Sequence, residues 1–235
     1  MSHISLNRKS WFSGNITLIL GSILMLLILI PSFLSPILVE KDQLKIMAGL
    51  PNRPPDAEHP LGTQSEGRDI LALILVGTPA TLKIGLIGGA VGLLIGIFLG
   101  LISGYFGGKL DFVIRNVVDI GLTIPSLAIL IMIAAAFRGL SLELMGLVVA
   151  STSWMQPTRI IRSQVLTLKE RNFVKLATLS GENNLEILFT DIMPNLLPIL
   201  AASFVDAFST AILASIGLEV LGLGSQQAMT LGNTL

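Results

Sequence analysis

Two carboxylates lie in or beside strongly apolar stretches of the 235-residue sequence: Asp119 near one end of the third such stretch, and Asp206 well inside the fifth. Acids in membrane segments are costly and usually functional, so such a pair admits an intramembrane aspartyl enzyme or a proton-coupled carrier. No Gly-x-Gly-Asp signature accompanies either residue. Asp119 can instead pair with Arg115 one helical turn earlier, and Asp206 is a candidate pathway residue or a hydrogen-bond partner for a neighbouring helix.

The remaining side chains offer little for catalysis. The sequence has no cysteine, and its histidines, His3 and His59, are far apart, so thiolate and imidazole metal sites lack their ligands. The Gly-x-Ser-x-Gly, His-Glu-x-x-His and Gly-x-x-x-x-Gly-Lys-Ser/Thr patterns of serine, zinc and nucleotide chemistry are absent from the sequence as well. We therefore expect no catalytic, metal or cofactor-binding residue, and no ATP hydrolysis by this chain.

Composition places the chain in a membrane. Hydrophobic residues make up 52% of the sequence, charged residues only 13%, and the mean hydropathy is +0.80, which is outside the balance of globular domains. The formal net charge of zero argues against nucleic-acid binding. Apolar stretches near the ~20 residues that a helix needs to cross the hydrocarbon predict an all-α membrane protein with spans at 15–33, 81–102, 117–137, 142–155 and 196–213.

The basic residues predict the orientation of these spans. More of the basic residues lie on the side of the spans that includes the amino terminus, so the positive-inside rule puts the amino terminus in the cytoplasm. The basic residues on that side are Arg8, Lys9, Lys109, Arg115, Arg159, Arg162, Lys169, Arg171 and Lys175. We expect Arg159 and Arg162 to anchor the fourth helix at lipid headgroups. The predicted parts are a cytoplasmic amino terminus (1–14), a retained first membrane helix (15–38), an extracytoplasmic loop (39–80) and a core (81–235) with a cytoplasmic loop at 159–194.

Glycines recur every four residues along the second span. They are Gly88, Gly92, Gly96, Gly100 and Gly104, with Gly85 and Gly89 beside them. Positions four apart share one helix face, and small residues there let another helix approach closely in lipid. We expect a helix-packing surface, and its partner is either another helix of this chain or a second subunit.

The cytoplasmic loop contains an amphipathic stretch. Val174, Ala177 and Leu179, with Leu176 and Ser180 beside them, predict a short helix with one compact apolar face. Gly181 then permits a sharp turn into a second helix at 183–192. The alternative is an interfacial helix lying on the membrane.

The extracytoplasmic loop has a second amphipathic stretch at 69–76, after three prolines. It predicts a short surface helix, which Arg68 and Asp69 are placed to cap and pin.

Several segments together resemble one protein family. The outer loop reads His59-Pro60-Leu61-Gly62-Thr63-Gln64-Ser65-Glu66-Gly67-Arg68-Asp69, and the second span is followed by Gly104-Tyr105-Phe106-Gly107-Gly108, Asp111, Asp119 and Pro125-Ser126. The inner loop runs from Arg159 through Phe173-Val174 and Gly181 to Met193-Pro194-Asn195. These motifs resemble the permease subunits of bacterial and archaeal ABC importers for peptides, nickel and some oligosaccharides, in which the inner loop is the EAA motif.

The sequence departs from the family pattern at a few positions. Gln64 replaces an Asp, and Lys175-Leu176-Ala177 stands where Glu-Ala-Ala is usual. Ser215 stands where the family has Glu, so no role of that Glu is carried over. The family continues past Gly232-Asn233 into one more membrane helix, whereas this sequence stops at Leu235; five spans are thus expected, with the sixth, C-terminal one missing.

The resemblance implies the transmembrane domain of a type I ABC importer, a multi-pass protein of a bacterial or archaeal cell membrane that moves di- or oligopeptides, or alternatively nickel or oligosaccharides. Its implied partners are a second homologous permease, two ATPase subunits that bind ATP and Mg, an extracytoplasmic solute-binding protein that meets the outer face, and the lipid bilayer. The implied ATPase-coupling residues are Phe173, Val174, Lys175, Leu176, Ala177, Thr178, Leu179, Ser180, Gly181 and Glu182.

Overall fold

The computed structural model describes residues 16–137, 139–225 and 228–234. The predicted cytoplasmic amino terminus, 1–14, lies outside the described residues. The chain divides into two compact units, Met1–Pro79 and Ala80–Leu235. Within the described ranges the structure is helical apart from loops and one isolated bridge between Thr63 and Asp69, in agreement with the all-α fold class.

In the first unit, helix α1 (Ile16–Phe33) is apolar on all sides and almost wholly exposed. A helix with that surface is stable only in lipid. A short helix α2 (Ser35–Leu38) and a 3₁₀ turn (Lys41–Leu44) follow. The loop after them folds back on itself through backbone hydrogen bonds such as Met47 N to Glu66 O.

The next helix, α3 (Ile70–Phe106), is longer than predicted and corrects two expectations. The separate surface helix at 69–76 and the span at 81–102 are one continuous helix. Pro79 lies inside this helix without ending it, although a helical proline removes one backbone hydrogen bond. Beside it, the Thr78 hydroxyl donates to the Ile74 carbonyl at 2.6 Å. Asp69 caps this helix as predicted, accepting from the Ala72 amide at 2.7 Å.

The third predicted span, 117–137, is wrong as a single helix. Helices α4 (Gly108–Thr123) and α5 (Ser126–Ala135) meet at 87°. Proline disfavours the helical region for the residue before it, and Ile124, which precedes Pro125, is extended at φ −87° and ψ 130°. This bend at Ile124 and Pro125, here named the elbow, therefore follows from one proline.

The fourth predicted span, 142–155, is continued by a further helix. Helix α6 (Leu142–Ser153) begins at Ser141, whose side chain accepts from the Leu144 amide, and helix α7 (Met155–Lys169) follows after Trp154. The inner loop contains α8 (Asn172–Leu179), α9 (Asn184–Glu186) and a π-helical turn (Ile187–Ile192). Helix α10 (Met193–Val220) extends past the predicted 196–213, and a 3₁₀ turn (Gly232–Thr234) follows it in the second unit.

The number of spans also differs from the expected five. Among the described residues three helical stretches are long and apolar enough to cross a membrane, Ile16–Phe33, Ile70–Phe106 and Asn184–Val220, and a fourth results if the bent α4–α5 pair is one span. Helix α6 has 12 residues, too few for a crossing by itself. Two buried clusters hold the second unit together, one around Ile161, Val165 and Ile192 and the other around Ile84, Met145 and Ala211.

Candidate functional site

The glycine row of α3 lies against α6 and α7. In chain order, Gly88, Gly92, Gly96, Gly100 and Gly104 face Val149, Ser153, Pro157, Ile161 and Val165. Both series advance by four residues in the same direction, so the helices run parallel, and α6 and α7 present one continuous face to α3 despite the break at Trp154. The glycines are buried inside the second unit, so this contact is made within the chain.

The approach is too close for larger side chains. A Cβ atom placed on Gly100 would lie 2.9 Å from Ile161 Cβ and 3.0 Å from the Thr158 carbonyl oxygen. A second row packs on α10: a Cβ on Gly89 would lie 2.8 Å from Phe208 Cα. These close contacts hold α3, α7 and α10 together. Membrane helices need such packing, because lipid supplies no hydrophobic driving force for their association.

An ion pair joins α4 to α7 at the end of α3. The Arg162 guanidinium donates through Nε to Asp111 Oδ1 and through Nη2 to Asp111 Oδ2, the latter at 2.7 Å. The Ser103 hydroxyl of α3 donates to the same carboxylate. The side chains of Arg162 and Asp111 are only 19% and 17% exposed. The expectation that Arg162 lies at lipid headgroups is corrected, because one edge of its guanidinium donates to both oxygens of the Asp111 carboxylate.

Neighbouring contacts attach the inner loop to the same end of α3. Lys169 Nζ donates to the Tyr105 carbonyl at 2.7 Å and lies 5.4 Å from the centre of the Tyr105 ring. The Tyr105 hydroxyl donates to Asn184 Oδ1 at 3.1 Å. The last turn of α3 therefore contacts α7 and α9 directly.

A second interhelical ion pair lies at the other end of the glycine row. Lys83 of α3 donates to Glu143 of α6. Along α3, Lys83 and Ser103 are about 20 residues apart, or roughly 30 Å at 1.5 Å per residue. That distance is close to the thickness of the hydrocarbon layer.

Helix α8 divides its apolar residues between two faces. Val174 and Ala177 are buried against Ile187, Leu188 and other residues of one cluster, whereas Leu176 and Leu179 are exposed, Leu179 at 83%. The predicted single apolar face that included Leu179 is therefore wrong. At 100° per residue, Leu176 and Leu179 lie opposite Val174 and Ala177.

The hairpin formed by α8, α9 and their connection (172–186) turns at Gly181. Its φ is +82°, the Gly181 amide donates to the Thr178 carbonyl, and the Glu182 amide donates to the Ala177 carbonyl, both at 3.2 Å. This is a Schellman motif, for which a glycine in the left-handed region is typical. The motif leaves Leu176 and Leu179 exposed just before the turn.

Asp206 lines a small pocket of about 170 Å³ between α10, the elbow and the α6–α7 pair. Its polar neighbours there include Ser126, Thr152, Gln156 and Thr210. Asp119 is not among the described residues that line this pocket, and no ion pair joins it to Arg115 within the described chain. The two aspartates are thus not brought into a common site.

Sequence reasoning missed a third carboxylate. Glu219, near the end of α10, is buried at 4% exposure, one turn after the buried Ser215. Its side chain packs over Gly224 and Gly232, and Thr230 and the Gly232 amide are its polar neighbours. The sequence signal was present, since Glu219 lies in an apolar run next to Leu221-Gly222.

Comparison with known proteins places these features in a family. Residues 96–234 match the family described as "Binding-protein-dependent transport system inner membrane component". The dipeptide transport system permease protein DppC of Alkalihalophilus pseudofirmus is 34% identical over 74% of this chain, and the oligopeptide transport system permease protein OppC of Mycobacterium tuberculosis is 31% identical over 74%. OppC of Bacillus subtilis is 30% identical over 91% of the chain.

The chain covers only part of the length of these relatives. The chain spans 57% and 60% of the length of the first two relatives and 70% of the third. The family match includes the end of the glycine row, the elbow, the Asp111–Arg162 pair and the hairpin. The chain belongs to the family of inner membrane components of binding-protein-dependent transport systems.

Proposed function

We propose that this chain is a permease subunit of an ATP-driven ABC importer and forms half of a translocation pathway. A second homologous permease, two ATPase subunits and an extracytoplasmic solute-binding protein complete the assembly. The hairpin carries the proposal, because it presents exposed leucines on a short helix braced by the core. Exposed apolar side chains outside the lipid are typical of a protein interface.

The hairpin is the proposed docking site for an ATPase subunit. Leu176 and Leu179 enter a groove of the ATPase, while Val174 and Ala177 keep α8 fixed to the rest of the chain. ATP and Mg are bound by the ATPases, and this chain contributes no catalytic residue. Closure of the ATPases on ATP then moves the membrane helices as rigid bodies between inward-facing and outward-facing states.

Peptides are the proposed solute. The relatives are named as dipeptide and oligopeptide permeases. The pocket at Asp206 supports this choice, because hydroxyl and amide groups suit the hydrogen-bonding groups of a peptide, and a carboxylate suits its protonated amino terminus. Uptake of nickel or oligosaccharides by the same type of importer is the alternative.

The proposed orientation places the hairpin and the amino terminus in the cytoplasm. Lys169, Arg171 and Lys175 lie in or beside the hairpin, as the positive-inside rule expects of a cytoplasmic segment. The loop at 39–69 then faces outward and meets the solute-binding protein.

Purification of the tagged chain with its natural partners tests the proposal. We expect a second permease and the ATPases to co-purify, and we expect Leu179→Asp to lose the ATPases by at least tenfold because a charge would enter an apolar groove. Leu50→Asp is the matched control, since Leu50 is 72% exposed in the outer loop and should keep the ATPases. Recovery of the unaltered chain without ATPases would refute the proposed function.

A further inference from the structure

We infer that the cluster of Ser103, Asp111 and Arg162, here named the clasp, transmits movement of the hairpin to the elbow that lines the Asp206 pocket. Asp111 and Arg162 then affect transport without touching the solute, because they position α4 and the elbow. The inference rests on the proposed function and adds the route by which the ATPases control the pathway.

Apart from the clasp, few side chains of α4 are buried against the rest of the unit. Most of its side chains are exposed, including Phe112, Val117 and Ile120, and Val118 is its buried residue. It runs antiparallel along α7, since Asp111 contacts Arg162 and a Cβ on Gly121 would meet Met155. Because α4 buries so little apolar area, the bidentate ion pair is a main tie between α4 and α7.

Arg162 lies on the helix that leads directly into the hairpin. Arg162 lies about two turns before the end of α7, and the hairpin begins at Asn172. Lys169 and Asn184 connect both sides of the hairpin to Tyr105, which is two residues after Ser103 of the clasp. A push on the hairpin therefore reaches α7 and the last turn of α3 together.

The other end of α4 leads into the wall of the Asp206 pocket. Helix α4 ends at Thr123, and the elbow at Pro125 passes directly into Ser126 and Leu130 of α5. Ser126, Leu130 and, at the end of α4, Leu122 line the pocket that contains Asp206. A shift of α4 thus changes the pocket wall without moving α10.

An ion pair transmits movement between α4 and α7 better than apolar packing does. Two parallel N–H···O bonds to a carboxylate fix direction as well as distance, and they are only partly screened at 19% and 17% exposure. Apolar surfaces can slide over one another at little cost, whereas breaking a partly buried pair leaves a charge without its partner. The clasp therefore moves α4 with α7 as one body.

The test uses the complete importer in proteoliposomes, with a dipeptide as solute, and measures uptake, ATP hydrolysis and subunit recovery. We expect Asp111→Asn and Arg162→Gln to keep the ATPases bound and hydrolysing ATP, while solute taken up per ATP falls at least fivefold. Glu143→Gln is the matched control, because the Lys83–Glu143 pair also joins two helices but is 49% and 58% exposed. It should leave uptake per ATP unchanged.

The charge-exchanged double variant, Asp111→Arg with Arg162→Asp, separates transmission from folding. We expect it to recover at least half of the uptake per ATP that either charge-reversed single variant loses. Unchanged uptake per ATP in Asp111→Asn and Arg162→Gln, in an importer whose unaltered form transports, would overturn the inference alone. An unaltered chain that neither binds ATPases nor transports would overturn the proposed function instead.

If the variants fail to assemble, the distance between α4 and α7 in the otherwise unaltered importer tests the inference. The sequence has no cysteine, so spin labels can be placed at Val113 on α4 and Leu166 on α7, both exposed. We expect the distance between these labels to stay within about 2 Å between the resting and ATP-trapped states. A larger change would show that α4 does not follow α7 and would refute the clasp.

Discussion

At the scale of single residues, two glycines end helices in the same way. Gly181 follows α8 and Gly222 follows α10, with φ of +82° and +76°. In each case the glycine amide and the next amide donate back to carbonyls of the last helical turn: Gly222 to Glu219 and Leu223 to Leu218. Both positions need the left-handed region, which other residues enter at a cost.

Replacement of Gly181 tests that cost. No atom lies within 4 Å of a Cβ placed there, so Gly181→Ala should loosen the hairpin through backbone strain alone, by about 1 kcal/mol. We expect faster amide hydrogen exchange in 172–186. Asn tolerates this region better, and Gly181→Asn should therefore exchange at a rate between those of Ala and Gly. Equal exchange in all three proteins would contradict the turn geometry.

At the scale of elements, the glycine row sets the distance between α3 and the α6–α7 pair. Its register with Val149, Ser153 and the residues that follow makes two helices act as one straight partner. Glycine costs up to about 1 kcal/mol in a helix relative to alanine, and the close contact offsets that loss. This row connects the Lys83–Glu143 pair to the clasp.

A large residue in the row should separate these helices. Gly100→Leu is expected to destabilise the chain in detergent by at least about 2 kcal/mol, because it meets Ile161 and the Thr158 backbone. The control is Gly21→Leu on α1, where no atom lies within 4 Å of an added Cβ. Thermal unfolding followed by circular dichroism compares them, and equal melting temperatures for the two variants would contradict the packing.

At the scale of the whole molecule, interhelical ion pairs lie near the two ends of the glycine row in the second unit. Helix α10 spans about 42 Å at 1.5 Å per residue, long enough to place the hairpin and Leu221 on opposite sides. The elbow and the clasp lie in the same unit, which lets an event at one membrane face alter a pocket inside it.

Cysteine labelling in cells tests this arrangement. The sequence has no cysteine, so Glu170→Cys and Leu221→Cys each supply one thiol. An impermeant maleimide should label Leu221→Cys in intact cells and Glu170→Cys only after permeabilisation, because both side chains are exposed at opposite ends of the unit. Labelling of Glu170→Cys in intact cells would reverse the proposed orientation.

The sequence by itself determined the class of protein and roughly where its apolar segments lie. A hydrophobic fraction of 52% and apolar runs of membrane length leave no soluble fold open, and the loop motifs identify the family. The turn at Gly181 and the cap at Asp69 were also predictable, because both depend on contacts between residues a few positions apart.

The tertiary structure decided the rest, because it depends on which residues meet across the chain. Whether Arg162 faces lipid or Asp111, 51 positions away, is set by how α4 packs on α7. The same holds for α8, where Leu179 and Val174 are equally apolar but only Val174 finds a core to pack against. Hydropathy records how apolar a residue is, whereas burial depends on the neighbour that the fold supplies.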